Sequence, residues 1–150
     1  GYNMTHEGTT KQGIYAINHI LTKHAAMNMA AISLADGMGT RYDLTTARHI
    51  STLLSHLYHD PKIYPLFIQL LPVMGVSGTL EDRMKGSILE NRVFAKTGTM
   101  HDISALSGFV KTPNGQTLIF SIIINGVLSD INKAKKLEEQ ILLEVGSAST

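Results

Sequence analysis

"RVFAKTGTMHDISALSGFVKTPNGQTLIFSIIING", residues 92–126, is the stretch whose reading decides the fold. RVFAKTGT, residues 92–99, reads as a strand, and residues 104–126 read as two more strands joined by Thr112-Pro113-Asn114-Gly115, an order suited to a tight turn. Three consecutive strands with short connections form an antiparallel meander. Within it, Lys96, Thr97 and Gly98 follow an apolar pair, so an ammonium, a hydroxyl and a bare backbone stand side by side.

Helical periods flank the meander. Thr9 or Thr10 can cap a helix whose Ile14, Ile17, Ile20, Leu21 and Ala25 recur at three and four, which predicts one buried face. Asp43 or Thr45 can cap a second, carrying Ala47, Ile50, Leu53, Leu54 and Leu57 and ending near Pro61. PKIYPLFIQLLP, residues 61–72, reads as a short core helix, GVSGTL as a loop, and LEDRMKGS, residues 80–87, as a helical turn or two. Ser129 or Asp130 starts a last helix with Ile131, Ala134, Leu137, Ile141 and Val145 on one face. Helices, then strands, then a helix predict an α/β (α+β) chain in which that last helix packs on the sheet.

At 150 residues the chain is one compact unit or a piece of something larger. Thirteen Lys and Arg against 12 Asp and Glu are scattered along it, so no basic stripe recommends a nucleic acid. Cysteine is absent, which removes thiol catalysis, disulfides and Cys-type zinc sites. The longest apolar run, residues 117–128, is broken by Ser121, Asn125 and Gly126 and is too short to cross a bilayer as a helix, so no transmembrane segment is expected. No signal peptide is recognisable at the start, as a mature secreted chain or an excised fragment would also read.

On a strand side chains alternate faces, so Lys96 and Gly98 point one way and Thr97 and Thr99 the other. An ammonium beside a hydroxyl nucleophile can hold that nucleophile and its base in a reactive protonation state. Glycine leaves the backbone uncovered, so an extended peptide can lie alongside as an added strand. The natural guest is peptide-like with an anionic group.

LADGMGTRYDL (34–44), LLPVMGVSGTLEDRM (70–84), FAKTGTM (94–100), LSGFV (106–110) and NGQTLIFSIIING (114–126), in this order, resemble the C-terminal third of the D-alanyl-D-alanine carboxypeptidase/endopeptidases of the penicillin-binding protein 4 type, the S13 serine peptidases. The resemblance spans about residues 8–145. It implies a β-lactamase/transpeptidase-like fold, of which residues 1–150 would be the C-terminal portion of the catalytic domain. Lys96-Thr97-Gly98 is similar to the third motif of penicillin-binding proteins and serine β-lactamases, which accompanies Ser-x-x-Lys and Ser-x-Asn. In that family a serine attacks the D-Ala-D-Ala amide, the acyl-enzyme is released by water, and β-lactams are trapped at the same step. By resemblance, Lys96 would contact the nucleophile network and draw in the substrate carboxylate. The Thr97 and Thr99 hydroxyls would bond that carboxylate, and the Thr99 N–H would be one of two oxyanion donors. Arg41 and Met100 would border the pocket for the substrate's diamino acid, with Thr40 and Asp36 beside them.

None of the serines has lysine three residues on or asparagine two residues on, so both other motifs are absent from these residues. The family's Asp-Gly-Ser-Gly-Leu-Ser-Arg loop is here Asp36-Gly37-Met38-Gly39-Thr40-Arg41, one residue shorter. Asp36 also has a plain reading as a turn residue, and Arg41 as a partner of Asp43. A non-catalytic binding module of the same fold and a class A β-lactamase relative stand as the rival readings. His56, His59 and Asp60 suggest a metal but lack a third convergent ligand, and His49 is two turns away, so neither metal nor cofactor is expected. The resemblance further implies peptidoglycan stem peptides and β-lactams as partners and a bacterial cell-envelope location, periplasmic or extracellular. Residues 1–150 alone would leave a sheet edge uncovered, which favours a homodimer or strand swapping.

Overall fold

The computed structural model describes residues 2–25, 27–37, 39–40, 42–128 and 130–147. They fall into two compact units, residues 1–56 and 57–150.

In the first unit, α1 (Tyr2–Thr5) precedes α2 (Thr10–Ala25), a 3-10 turn follows at Met29–Ala31, and α3 (Ala47–His59) starts within it. Thr9 caps α2, its Oγ1 accepting from Gln12 N at 3.3 Å. The face expected to be buried is only partly so: Ala25 is buried, as is Ala16 off that face, and Ile14 and Leu21 are half-buried, while Ile17 and Ile20 are exposed. Helical periodicity records which face could be covered, and none of the described residues covers these two. Thr46 caps α3, receiving His49 N at 3.2 Å, and neither Asp43 nor Thr45 does so. Leu54 is buried on the predicted face of α3.

The second unit takes in the last turn of α3 and then Asp60, whose Oδ1 accepts from Lys62 N and Ile63 N at 2.9 and 3.1 Å. It starts α4 (Tyr64–Phe67), which tightens into a 3-10 turn at Ile68–Leu70. This segment was expected in the core, yet Leu66 and Leu70 are 68% and 79% exposed. So short a helix has one inner side, and Tyr64 and Phe67 use it, their rings 5.2 and 6.4 Å from that of Phe109. Residues 80–87 do not form the expected helix. A 3-10 turn at Gly78–Leu80 passes into further turns, and Met84 at φ 56° lies in the left-handed region that a helix cannot traverse.

The meander is present as predicted: β1 (Val93–Met100), β2 (Ile103–Lys111) and β3 (Thr117–Asn125) pair antiparallel in that order. Thr112 to Gly115 form the turn before β3, with Gly115 N donating to Thr112 O at 3.0 Å. Register sorts the side chains. Val93, Ala95, Thr97 and Thr99 face Val110, Gly108, Leu106 and Ser104, while Phe94, Lys96, Gly98 and Met100 face Phe109, Ser107, Ala105 and Ile103. Gly108 has no room for a side chain, because a Cβ there would lie 2.6 Å from Ala95 Cα.

α5 (Ile131–Ser147) packs on β2 and β3, as expected. Asp130 caps it, with Asn132 N at 2.9 Å from its Oδ1; the alternative, Ser129, lies outside the described residues. The buried face differs from the predicted one. Ala134 is shared, but the other positions are Glu138, Leu142 and Gly146, and Leu137, Ile141 and Val145 are exposed. Apolar spacing pointed to the wrong stripe for two reasons. Gly146 lets Leu89 and Val110 approach to 3.0–3.1 Å of where a Cβ would stand, and Glu138 finds buried polar partners. Leu142 completes a core with Met74, Leu80, Leu89, Val93, Ala95, Leu106 and Val110.

Candidate active site

The outer edge of β1 is covered over half its length. Met74 N donates to Val93 O at 2.9 Å and Ala95 N to Pro72 O at 3.0 Å, through a bridge of Val73 with Phe94. These bonds make the odd-numbered residues of β1 the ones whose backbone groups point away from β2. Beyond Ala95 that edge has no strand partner among the described residues, so the N–H groups of Thr97 and Thr99 face outward unpaired. The uncovered stretch is the Lys96–Met100 segment singled out from sequence.

Lys96 is exposed, and its Nζ donates to Thr97 O at 2.6 Å, on the same open edge. Gly98 lies on the Lys96 face, where a Cβ would meet only Ala105 Cβ at 3.5 Å. Glycine there bares the strand and does not rescue its φ. Met100, half-buried at the end of β1, shares that face.

Thr97 and Thr99 are on the opposite face. The Thr97 hydroxyl donates to Thr79 Oγ1 at 3.0 Å, and both threonines line a cavity of about 170 Å³. Arg83, Lys135 and Glu138 line it from the other side. Thr79, Arg83, Ser104 and Glu138 carry no mark in a one-dimensional pattern that calls them site residues. The only signal is the quoted stretch 70–84, which contains two of them.

In the first unit, Asp36 and Thr40 are joined directly: Thr40 Oγ1 donates to Asp36 Oδ2 at 2.8 Å, and Gly39 N to Asp36 Oδ1 at 3.1 Å. Asp36 therefore has the turn role. Asp43, one of the sequence's candidate caps for α3, instead accepts from Ala35 N, Asp36 N and Thr40 N at 2.6, 3.2 and 3.1 Å, and its other expected partner, Arg41, lies outside the described residues. Among the described residues no three His, Cys, Asp or Glu converge to hold a metal. Among the described residues, two side chains have clear reasons to titrate away from their ordinary values. Burial, then the neighbouring Tyr58, pushes the Tyr64 phenol up, and the hydrogen bond to Asp82 raises Lys85.

Residues 1–144 match the sequence model of the D-Ala-D-Ala carboxypeptidase 3 (S13) family. A D-alanyl-D-alanine carboxypeptidase from an Actinomadura strain is 39% identical over 125 residues, 79% of this chain and 23% of that protein. The D-alanyl-D-alanine carboxypeptidase DacB of Haemophilus influenzae is 30% identical over 118 residues, 76% of this chain and 24% of its own. The chain thus spans about a quarter of the length of these curated relatives. The crystal structure of penicillin binding protein 4 from H. influenzae superposes with a TM-score of 0.86 over 98% of this chain and 34% of that one, at 22% identity. A predatory endopeptidase of Bdellovibrio bacteriovorus, in complex with an immunity protein, superposes at 0.69 over 93% of this chain and 37% of its own, at 20% identity. By its sequence, and with a fold shared with these structures, the chain belongs to the D-Ala-D-Ala carboxypeptidase 3 (S13) family.

Proposed function

We propose that these residues are the C-terminal portion of the catalytic domain of a serine D-Ala-D-Ala carboxypeptidase/endopeptidase. It would act on peptidoglycan stem peptides through an acyl-enzyme and be acylated by β-lactams. The observation that carries this reading is the open edge of β1 from Lys96 to Met100, with its outward N–H groups at Thr97 and Thr99. An extended peptide docks there as an added strand, its backbone paired with Thr97 and Thr99. The scissile carbonyl then lies against the Thr99 N–H, which stabilises negative charge as it develops on the oxygen. Lys96 releases the Thr97 carbonyl and turns to the nucleophile network and the substrate carboxylate. The serine and its lysine come from a Ser-x-x-Lys segment that residues 1–150 do not contain.

By the family resemblance, Met100 is proposed to pack on the methylenes of the substrate's diamino acid and Arg41 to bind its carboxylate, while Asp36 and Thr40, bonded to each other, keep their turn. The place of work is the bacterial cell envelope, periplasmic or extracellular. Among the described residues no helix is long and apolar enough to cross a membrane. For residues 1–150 alone, β3 is a half-buried edge strand whose outer side has no strand partner among the described residues, and self-association through it is part of the proposal. A native mass of one chain would count against that part.

The test is incubation of the full-length protein with penicillin, followed by intact mass. A penicilloyl adduct, with release of D-alanine from a D-Ala-D-Ala peptide, is expected. A full reading frame without Ser-x-x-Lys and Ser-x-Asn, and no adduct, would favour the non-catalytic module.

A further inference from the structure

We infer that Arg83, Glu138 and Ser104 form a positioning relay that fixes the open end of β1. The inference rests on the proposed function for its catalytic meaning, but the relay itself is geometric. Glu138 is wholly buried on α5, on the inner stripe it shares with Ala134, Leu142 and Gly146. Its Oε1 accepts from Ser104 Oγ at 2.7 Å and its Oε2 from Arg83 Nη2 at 3.0 Å. Arg83 is itself pinned, with Nε on Glu139 Oε1 at 2.7 Å and Nη2 also on Lys135 O at 2.9 Å. The guanidinium therefore grips two carboxylates and a carbonyl of one helix.

The relay meets the reactive strand through Ser104, and all three of its residues line one cavity with Thr97 and Thr99. Ser104 is the cross-strand partner of Thr99. Arg83 follows four residues after Thr79, whose hydroxyl receives that of Thr97. Backbone support from Pro72–Met74 ends at Ala95, and these side-chain anchors begin where it stops.

A buried ion pair is a poor way to add stability. Well-packed apolar residues of similar volume do as well or better, because two charges must be stripped of water. Charged hydrogen bonds differ from apolar contacts in direction: they set angles, whereas apolar surfaces slide. An oxyanion donor at Thr99 N must be held to a fraction of an ångström, so a directional brace on its cross-strand partner is of use there. None of the three residues touches the reacting atoms, and each acts through β1.

The experiment uses the full-length protein carrying Arg83→Met together with Glu138→Leu, which removes both charges and keeps volume. Melting temperature within a few degrees of the parent is expected, with the saturating penicillin acylation rate at least tenfold lower. The penicillin concentration giving half that rate should be unchanged. Hydrogen exchange at the amides of Gly98 and Met100, which face β2, should quicken. Acylation at the parental rate, or a loss matching only the unfolded fraction, overturns the relay. If the double variant does not fold, Ser104→Ala decides, since it removes only the hydroxyl that ties Glu138 to the strand paired with Thr99; a parental rate in that variant also overturns it. If the parent itself is not acylated, the proposed function fails, and unchanged exchange at Gly98 and Met100 then overturns the relay on its own.

Discussion

Lys96 stands exposed on a strand whose neighbours Val93 and Ala95 are fully buried, and that contrast separates what it does from what holds the sheet. Its ammonium bonds one backbone carbonyl at the open edge and nothing in the core. In the full-length protein Lys96→Ala should therefore lower acylation by about 1.5–3 kcal/mol, the range for a charged hydrogen bond, with melting temperature unchanged. Stopped-flow acylation beside a thermal melt checks both halves, and an undiminished rate would remove Lys96 from the chemistry. For Arg41 the expected loss on Arg41→Ala is of the same size, about 1.5–3 kcal/mol in kcat/KM, confined to peptides whose diamino acid ends in a carboxylate. Equal losses on a peptide lacking that carboxylate would assign Arg41 to holding its loop. Lys96 and Gly98 were legible because a strand's alternation fixes their shared face. Asp43 and Glu138 were not, since a carboxylate's partners here are loop amides or a guanidinium 55 residues away, and no period encodes them.

The meander was readable from sequence because its strands obey a period of two and its turn residues announce the reversal. α5 shows the limit of such reading. Its existence follows from an apolar repeat, but its orientation is decided by a glycine and a glutamate that the repeat discards. Gly108 tests how closely β1 and β2 must approach: a methyl there would collide with the Phe94 carbonyl oxygen and crowd Ala95. Gly108→Ala should cost about 3 kcal/mol, the upper part of the overpacking range, in chemical denaturation. A loss below about 1 kcal/mol would mean that β1 shifts freely. α4 offers a pH test. Burial raises the Tyr64 phenol above 10.0, so this phenol stays protonated in the folded chain at a pH where the unfolded chain has begun to release the proton. Its contribution is complete below about pH 10 and is lost as pH rises through the raised folded value. Tyr64→Phe should flatten the fall of melting temperature above about pH 10, and a parallel fall in parent and variant would place the alkaline sensitivity elsewhere.

At the scale of the molecule, the chain spans about a quarter of the length of its curated relatives and, on the function proposed here, would carry one catalytic motif of three, which makes a sharp test of where the chemistry resides. A β-lactam acylates a serine activated by a lysine three residues on, and residues 1–150 encode no such pair. The strand that would receive the antibiotic is nonetheless built here, with its outward amides at Thr97 and Thr99. On the proposed reading, binding surface and nucleophile are separable. Residues 1–150 expressed alone should give an unchanged intact mass after incubation with penicillin, while the full-length protein gains one penicilloyl group under the same conditions. The two samples share residues 1–150, so an adduct on the full-length protein alone would place the nucleophile, or what activates it, outside them. A penicilloyl mass on residues 1–150 would show that a serine of this chain is reactive without the Ser-x-x-Lys pairing, and the division of labour proposed for Lys96 would have to be redrawn around that serine.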